Sequence, residues 1–234
     1  MKEILRNTLD LFFPPKCVAC NKLSQSPLCD NCSCKIVYLN PPICRICGKP
    51  KDRYFRGDLC DDCDLNNPPF TMARSVALYE GVLKEAIHKF KFNGKKRLSG
   101  MLGQLMVEHL KCGEIPINDI DLIIPVPLSR QRERERGYNQ SRLLADVISR
   151  AFNVRMDDVS LKKTKDIKPQ FELKREERFL NIIGAFRSGP LYEKSLLLVD
   201  DIYTTGATVA EAAKALKDAG ARKVHVLTLG RAVE

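Results

Sequence analysis

The sequence predicts an α/β fold, a parallel sheet flanked by helices, joined to a small N-terminal cysteine-rich zinc-ribbon domain. Two observations carry this. Apolar strand patterns and amphipathic helix patterns alternate from about residue 75 to residue 230, as they do where helices cross over between parallel strands. Nine of the ten cysteines fall between residues 17 and 63, eight of them in four CxxC pairs. A chain of 234 residues can bury the core of one α/β domain and hold something smaller beside it. The Pro68-Pro69 break divides it into residues 1–69, an N-terminal helix and double CxxC module, and residues 70–234, the α/β domain.

The opening stretch MKEILRNTLDLFFPP sets Ile4, Leu5, Leu9, Leu11, Phe12 and Phe13 among charges and stops at prolines. It reads as a short amphipathic helix, too brief and too charged for a secretory signal or a membrane span. Packing on the zinc module or a partner is one role for it, and peripheral contact with the inner face of the membrane is the other. The expected location is therefore the cytoplasm. Four knuckles follow, Cys17/Cys20, Cys29/Cys32, Cys44/Cys47 and Cys60/Cys63. Each can present two thiolates to a tetrahedral Zn²⁺, so together they supply one or two structural Cys₄ sites. Sequential and cross-braced pairing are both open, and the short spacings favour the sequential one. Cys34 could substitute as a ligand, and Cys112 reads as a small buried apolar residue. A disulfide framework is the rival account, disfavoured because nothing marks the chain as secreted.

The net charge of +10 is unevenly placed. Through residue 69 basic and acidic residues nearly balance, and zinc-bound thiolates add negative charge, so the ribbon module is not a polycation. The basic excess lies in KEAIHKFKFNGKKR, residues 84–97, where Lys84, Lys89, Lys91, Lys95, Lys96 and Arg97 face Glu85 alone. Those lysines suit either a phosphate-facing surface or a solvated one. Phe90 and Phe92 could stack bases, though core packing with Val82, Leu83, Ala86 and Ile87 explains them better.

Within the second domain SVALY, residues 75–79, is the first strand, followed by helices near 81–91 and 98–111. DLIIPVP, 121–127, is a buried strand ended by prolines, and QSRLLADVISRAF, 140–152, an amphipathic helix with Asn139 as its N-cap. Between them LSRQRERERGYNQ reads as a strand-end loop, whose guanidiniums, Arg130 and Arg136 among them, can grip a pyrophosphate or pair with the loop's own glutamates. The polar stretch at 162–186 reads as a lid or a disordered loop. Strands follow near 184–187 and 195–199, then a helix at 207–219 ended by Gly220, then the strand KVHVLTLG. His88, His109 and His225 sit in separate apolar patterns, as satisfied structural histidines do.

The most informative tract is LLLVDDIYTTGAT, residues 196–208. A strand buried on both faces runs into Asp200 and Asp201, then into Thr204, Thr205, Gly206, Ala207 and Thr208, whose amides and hydroxyls can surround a phosphate at a helix N-terminus. Two carboxylates beside that cradle would repel a bare phosphate, so they suit sugar hydroxyls or a Mg²⁺ travelling with the ligand. No Walker A pattern occurs in the chain. The tract resembles the phosphoribosyl pyrophosphate (PRPP) motif of type I phosphoribosyltransferases. The resemblance implies a type I phosphoribosyltransferase-like sheet in which Asp200 and Asp201 bind the ribose 2′ and 3′ hydroxyls and Thr204–Thr208 binds the 5′-phosphate. It also implies a flexible hood loop at the polar stretch, where Lys174, Arg175 or Arg178 would meet the pyrophosphate.

Over nearly its whole length the chain resembles the ComF (ComFC-type) family associated with natural competence. The shared blocks are LFFPPKCVAC, the four knuckles, LYEGVLKEAIHKFKFNGKKRL, PVPLSRQRERERGYNQSRLLA, KPQ, RFLNIIGAF and LLLVDDIYTTGATV. The resemblance implies handling of imported single-stranded DNA during natural transformation, beside a helicase-like component of the uptake apparatus. The expected function is binding of PRPP or a related phosphoribosyl ligand with Mg²⁺, together with DNA or a DNA-processing partner. Two alternatives stand beside it. One is a nucleobase-salvage phosphoribosyltransferase, for which Arg231 to Glu234 leave little material for a base-reading loop. The other is a non-catalytic nucleic-acid-binding module with a regulatory nucleotide pocket.

Overall fold

Apolar runs without a polar face can form strands only where both sides are covered. In a computed structural model, which describes residues 15–51, 57–92, 95–164 and 182–233, the elements follow in order. Two short helices, α1 (Asp30–Ser33) and α2 (Asp61–Asn66), belong to the knuckles; then come β1 (Met72–Leu78), α3 (Gly81–Phe92), α4 (Leu98–Lys111) and β2 (Leu122–Pro125). These are followed by α5 (Arg130–Arg136), α6 (Gln140–Phe152), β3 (Leu161–Lys163), β4 (Phe186–Ser188), β5 (Ser195–Tyr203), α7 (Ala207–Asp218) and β6 (Lys223–Arg231). Four strands form a parallel sheet in the order β1-β6-β5-β2, and β3 and β4 form a separate antiparallel pair.

The central strand β5 sends alternate residues to two cores. Leu197 and Val199 join Ile123, Leu227 and Leu229 under α3, α4 and α6. Leu196 and Leu198 join Ile124, Val224 and Val226 under α7 and the β3–β4 pair. The helices bury stripes at helical spacing, such as Leu83, Ala86, Ile87 and Phe90 in α3. Each core also takes in one pair of knuckles. Val18, Leu28 and Ile36 pack into the first, while Cys44, Cys47, Cys60 and Cys63 lie in the second beside Phe70. Between the two pairs, the chain runs along the edge of β1, with the Leu39 N–H donating to the Val76 carbonyl at 3.0 Å and the Leu78 N–H to that of Val37 at 2.8 Å. The cysteine module therefore straddles the β1 edge and blocks it from further pairing.

Several expectations need correction. The arginine-rich stretch is the helix α5, not a loop. Ser129 accepts a hydrogen bond from the Arg132 N–H, Gln131 donates to Glu135 at 2.9 Å, and Gly137 closes the helix at φ 74°. Arginine, glutamine and glutamate between two such caps are good helix formers. The first strand begins at Met72, three residues early, where the backbone already pairs with His225. Cys112 is exposed at the C-cap of α4, not buried. Phe92 is exposed beyond the α3 stripe, whereas Phe90 is fully buried as expected. The polar stretch is anchored at both ends by β3 and β4, with Leu161 paired to Ser188 and Lys163 to Phe186. The N-terminal amphipathic segment and Lys174, Arg175 and Arg178 lie outside the described residues. Among the described residues no helix is long and apolar enough to cross a membrane.

Candidate functional site

The carboxyl end of β5 gathers residues from four elements. Ser141, in the first turn of α6, donates its hydroxyl to Asp200 Oδ1 at 2.8 Å, and the Asp201 backbone N–H donates to the same oxygen at 2.9 Å. Burial, together with the charge of Asp201, raises the Asp200 carboxyl to about 7. From α3, Lys91 Nζ reaches Asp201 Oδ1 at 2.8 Å, with side-chain exposures of 17% and 10% for the pair. Arg136, at the end of α5, feels the charge of both aspartates; its guanidinium stands 5.1 Å from the Phe92 ring centroid and donates to Gln140 Oε1 at 3.0 Å. Tyr79, just past β1, is near enough to Lys91 and Asp201 to sense both charges, and burial raises its phenol.

Directly beyond the carboxylates the chain turns into α7. Gly206 is the N-cap at φ 80°, and no side chain caps the helix, although the Ala207 N–H makes a long 3.4 Å contact to Thr205 Oγ1. A Cβ on Gly206 would lie 2.3 Å from the Tyr203 hydroxyl, so glycine is required twice, by conformation and by space. The arrangement offers amides and threonine hydroxyls to an anion, with two acid side chains a few residues earlier. It suits a phosphate joined to a diol. The donor set also fits Mg²⁺, since burial and the neighbouring Asp201 charge both raise the Asp200 carboxyl, and a nearby cation would favour its ionised form.

The eight knuckle cysteines form two clusters, Cys17/Cys20/Cys29/Cys32 and Cys44/Cys47/Cys60/Cys63, with the sulfurs of each within 4.8 Å of one another. The pairing is sequential. Cys20 and Cys29 sulfurs are 3.7 Å apart and those of Cys47 and Cys60 3.6 Å, close to the roughly 3.8 Å edge of a tetrahedron with Zn–S bonds of about 2.3 Å. The N–H groups of Cys29 and Cys60 donate to Cys17 Sγ and Cys44 Sγ at 3.4 Å, the contacts a thiolate attracts. Cys63's hydrogen bond and the Arg231 guanidinium bring Cys47 down to about 5. Cys34 is exposed and outside both clusters.

A cleft of 840 Å³ opens between the second cluster and the turn, bounded by Cys63 and Phe70 on one side, Thr204 to Gly206 on another and Arg231 to Val233 on a third. Arg231 fixes this junction: it donates to the Cys47 carbonyl at 2.7 Å, and its guanidinium lies 4.3 Å from the Tyr203 ring centroid.

Two family patterns match, the double zinc ribbon domain over residues 8–64 and the phosphoribosyl transferase domain over residues 139–232. The DNA utilization protein YhgH of Escherichia coli O6:H1 is 33% identical over 211 residues, covering 87% of this chain and 90% of that one. The chain belongs to the ComF family. The competence protein ComFC of Bacillus subtilis is 29% identical over 87% of this chain and 84% of its own. Competence protein F of Haemophilus influenzae is 28% identical over 94% and 99%. The ComF pairing of a double zinc ribbon with a phosphoribosyltransferase-like parallel sheet is the architecture seen here.

In this ComF chain the structure places Asp200, Asp201 and Thr204–Thr208 together at one strand end, with Arg136 near enough to feel the charge of both aspartates. Arg130 is exposed at the start of α5, and no ion pair or hydrogen bond among the described residues joins it to the carboxylates. Ser141, Tyr79 and the specific pairing of Lys91 were not singled out by sequence. Lys91 had one signal, its place in a basic tract; Ser141 had none. The histidines also differ from expectation. His88 is exposed beside Phe92, and His109 Nε2 and His225 Nδ1 are buried without a hydrogen-bond partner among the described residues.

Proposed function

We propose that this ComF protein binds PRPP, or a related phosphoribosyl ligand, with Mg²⁺, and that it acts on DNA alongside the uptake machinery of natural transformation. The observation that carries the ligand reading is the carboxylate pair Asp200/Asp201, met by Lys91 and Arg136, directly ahead of an uncapped helix N-terminus. In this reading Asp200 and Asp201 accept the ribose 2′ and 3′ hydroxyls. The turn Thr204, Thr205, Gly206, Ala207 and Thr208 takes the 5′-phosphate, and Lys91 and Arg136 balance the pyrophosphate. Magnesium, when bound, would neutralise the pyrophosphate beside Asp200 and Asp201. The DNA reading rests on relatives named for competence and for DNA utilization. The single-stranded form and a helicase-like partner are part of the same proposal, as is the division of labour between residues 1–69, with Zn²⁺ at the knuckles, and residues 70–234.

A transferase is the second reading, favoured by the cleft beside the turn. There the C1–O bond to pyrophosphate would break, pyrophosphate leaving with the electron pair, while an acceptor nitrogen lone pair bonds C1 and its proton passes to solvent. Calorimetric titration of Mg²⁺-PRPP tests the binding site. Saturable binding by the zinc-loaded protein that is lost in Asp200→Asn/Asp201→Asn supports it. No binding by a folded, zinc-loaded wild type overturns it.

A further inference from the structure

We infer that the exposed face of α3 and the arginines of α5 form a docking strip for a single strand of nucleic acid, and that this strip shares Arg136 with the phosphoribosyl site, so that strand and phosphoribosyl ligand weaken each other's binding. The inference rests on the DNA and phosphoribosyl readings above and goes beyond them, to where the strand lies and what releases it.

The strip begins on the side of α3 that the core leaves uncovered. Lys84, His88 and Phe92 recur at every fourth position and are all exposed, which sets a cation, an imidazole and an apolar ring in line along the helix. The His88 and Phe92 rings stand 4.9 Å apart with their planes tilted by 42°, and Phe92 is still 59% exposed. An aromatic ring left in water among cations is the usual platform for stacking bases. From α5, Arg136 lies over the same ring at 5.1 Å, and Lys96 lies 5.1 Å from the ring centroid of Tyr138, just past α5. These contacts bring the two segments onto one surface.

That surface is rich in cations that lack counter-charges. Among the described residues none of the four arginines of α5 makes an ion pair, nor does any of Lys95, Lys96 and Arg97. Burial disfavours the charge of Arg136, and Arg132, one turn away, adds repulsion. Like charges at that spacing cost a helix stability unless an anion lies over them, and a phosphodiester supplies the anion. A duplex hides its base faces and would leave Phe92 and His88 with nothing to stack on. An anionic membrane fits less well, because Phe92 is the one large apolar side chain exposed on α3 and α5, and a helix lying on a membrane needs a broad apolar face.

The antagonism follows from Arg136. On one side it donates to Gln140 Oε1 at 3.0 Å and feels the charge of both Asp200 and Asp201; on the other it covers Phe92. Gln140 is itself buried, and its Nε2 has no hydrogen-bond partner among the described residues, so a donor stands beside Arg136 for an oxygen of whichever anion arrives. Lys91, paired with Asp201, immediately precedes Phe92. One guanidinium can neutralise a pyrophosphate in the site or a phosphodiester on the strip, and two polyanions held so close repel each other. Linkage then requires that each ligand weaken the other by the same factor.

The test follows the fluorescence anisotropy of a labelled oligothymidylate of about 20 nucleotides on the zinc-loaded full chain. Phe92→Ala and, separately, Lys95→Gln/Arg134→Gln should each weaken strand binding about tenfold, and the second variant should keep its calorimetric Mg²⁺-PRPP affinity within about twofold of wild type. Saturating Mg²⁺-PRPP should weaken the strand about tenfold or more, and Asp200→Asn/Asp201→Asn should keep the strand and lose that effect. Absence of strand binding, strand binding untouched by both sets of substitutions, or equal binding of a hairpin duplex or of phosphatidylglycerol vesicles would overturn the strip. Strand binding that ignores Mg²⁺-PRPP, in protein that calorimetry shows to bind it, would overturn the antagonism and leave the phosphoribosyl site standing. Strand binding with no Mg²⁺-PRPP binding at all would overturn the phosphoribosyl reading and the antagonism together.

Discussion

Lys91 is the residue on which the electrostatics of the strand end turn. Its ammonium is what offsets two adjacent carboxylates, and both it and Asp201 are largely shielded from water. Lys91→Met keeps the stem and removes the charge, so it should cost about 1–3 kcal/mol, the usual penalty for leaving a shielded polar partner unpaired. It should also weaken Mg²⁺-PRPP binding about tenfold or more. Chemical denaturation and calorimetry measure the two effects, and Lys84→Met, at an exposed position of the same helix, should change neither. A second residue-scale effect lies in the imidazoles. Burial lowers the pKa of His225, whose charged surroundings are Lys223, Asp119 and Arg74, and of His109, near Glu114 and Arg74. The unfolded chain therefore binds protons at these positions before the folded one does. Stability from them is complete above the unfolded value of about 6.5 and is lost as pH falls below it. A His109→Asn/His225→Asn variant should show a flatter loss of stability from pH 7 to pH 5 in urea melts; an unchanged slope would remove the imidazoles from the account.

Elements show where sequence patterns suffice and where they stop. Helices α4 and α6 follow at Leu98–Lys111 and Gln140–Phe152 from their apolar spacing, and α6 has the Asn139 cap its sequence announces. What the pattern cannot show is how closely the two helices approach. A Cβ on Gly103 would lie 2.6 Å from Val147 Cβ, nearer than packed carbons ever come. Gly103→Ala should gain about 1 kcal/mol in helix propensity and lose more to overpacking, for a net destabilisation of about 1–2 kcal/mol. Val147→Ala in the same chain should recover most of that loss, so that the double-mutant cycle shows strong coupling. The same limit applies to α5. Alternating arginine and glutamate carries no apolar stripe, so its helix is set by Ser129 and Gly137 at the ends. At the candidate site the local motif Asp200 to Thr208 was legible because consecutive residues build it. Ser141 and Lys91 reach it only through tertiary folding, and the cleft exists only because the second ribbon docks across the same strand ends.

For the whole molecule, the ribbon module and the sheet share their cores. Val18, Leu28 and Ile36 lie in the same apolar cluster as Leu83, Ile87 and Leu197, while the second set of cysteines lies with Leu196, Leu198 and Val226. Spacing alone indicated one or two Cys₄ sites, but not that two clusters form or that they join the cores on opposite faces of one sheet. Metal loss should therefore reach well beyond the knuckles. Four unbridged thiols buried against the second core would draw in water or repack, and Arg231 would lose the thiolate it faces beside Tyr203. Structural zinc contributes folding free energy directly, about 10–16 kcal/mol in isolated fingers, far more than the usual stability of a domain. Chelation should lower the melting temperature of the sheet itself by at least about 5 °C, in a single transition reported alike by far-ultraviolet circular dichroism and by hydrogen exchange at β5. If the ribbons were merely appended, β5 amides would keep their protection in chelator while amides near Cys17 and Cys44 exchange freely. The Mg²⁺-PRPP titration separates the two cases again, since a shared core predicts weaker binding after chelation and an appended module predicts none of that loss.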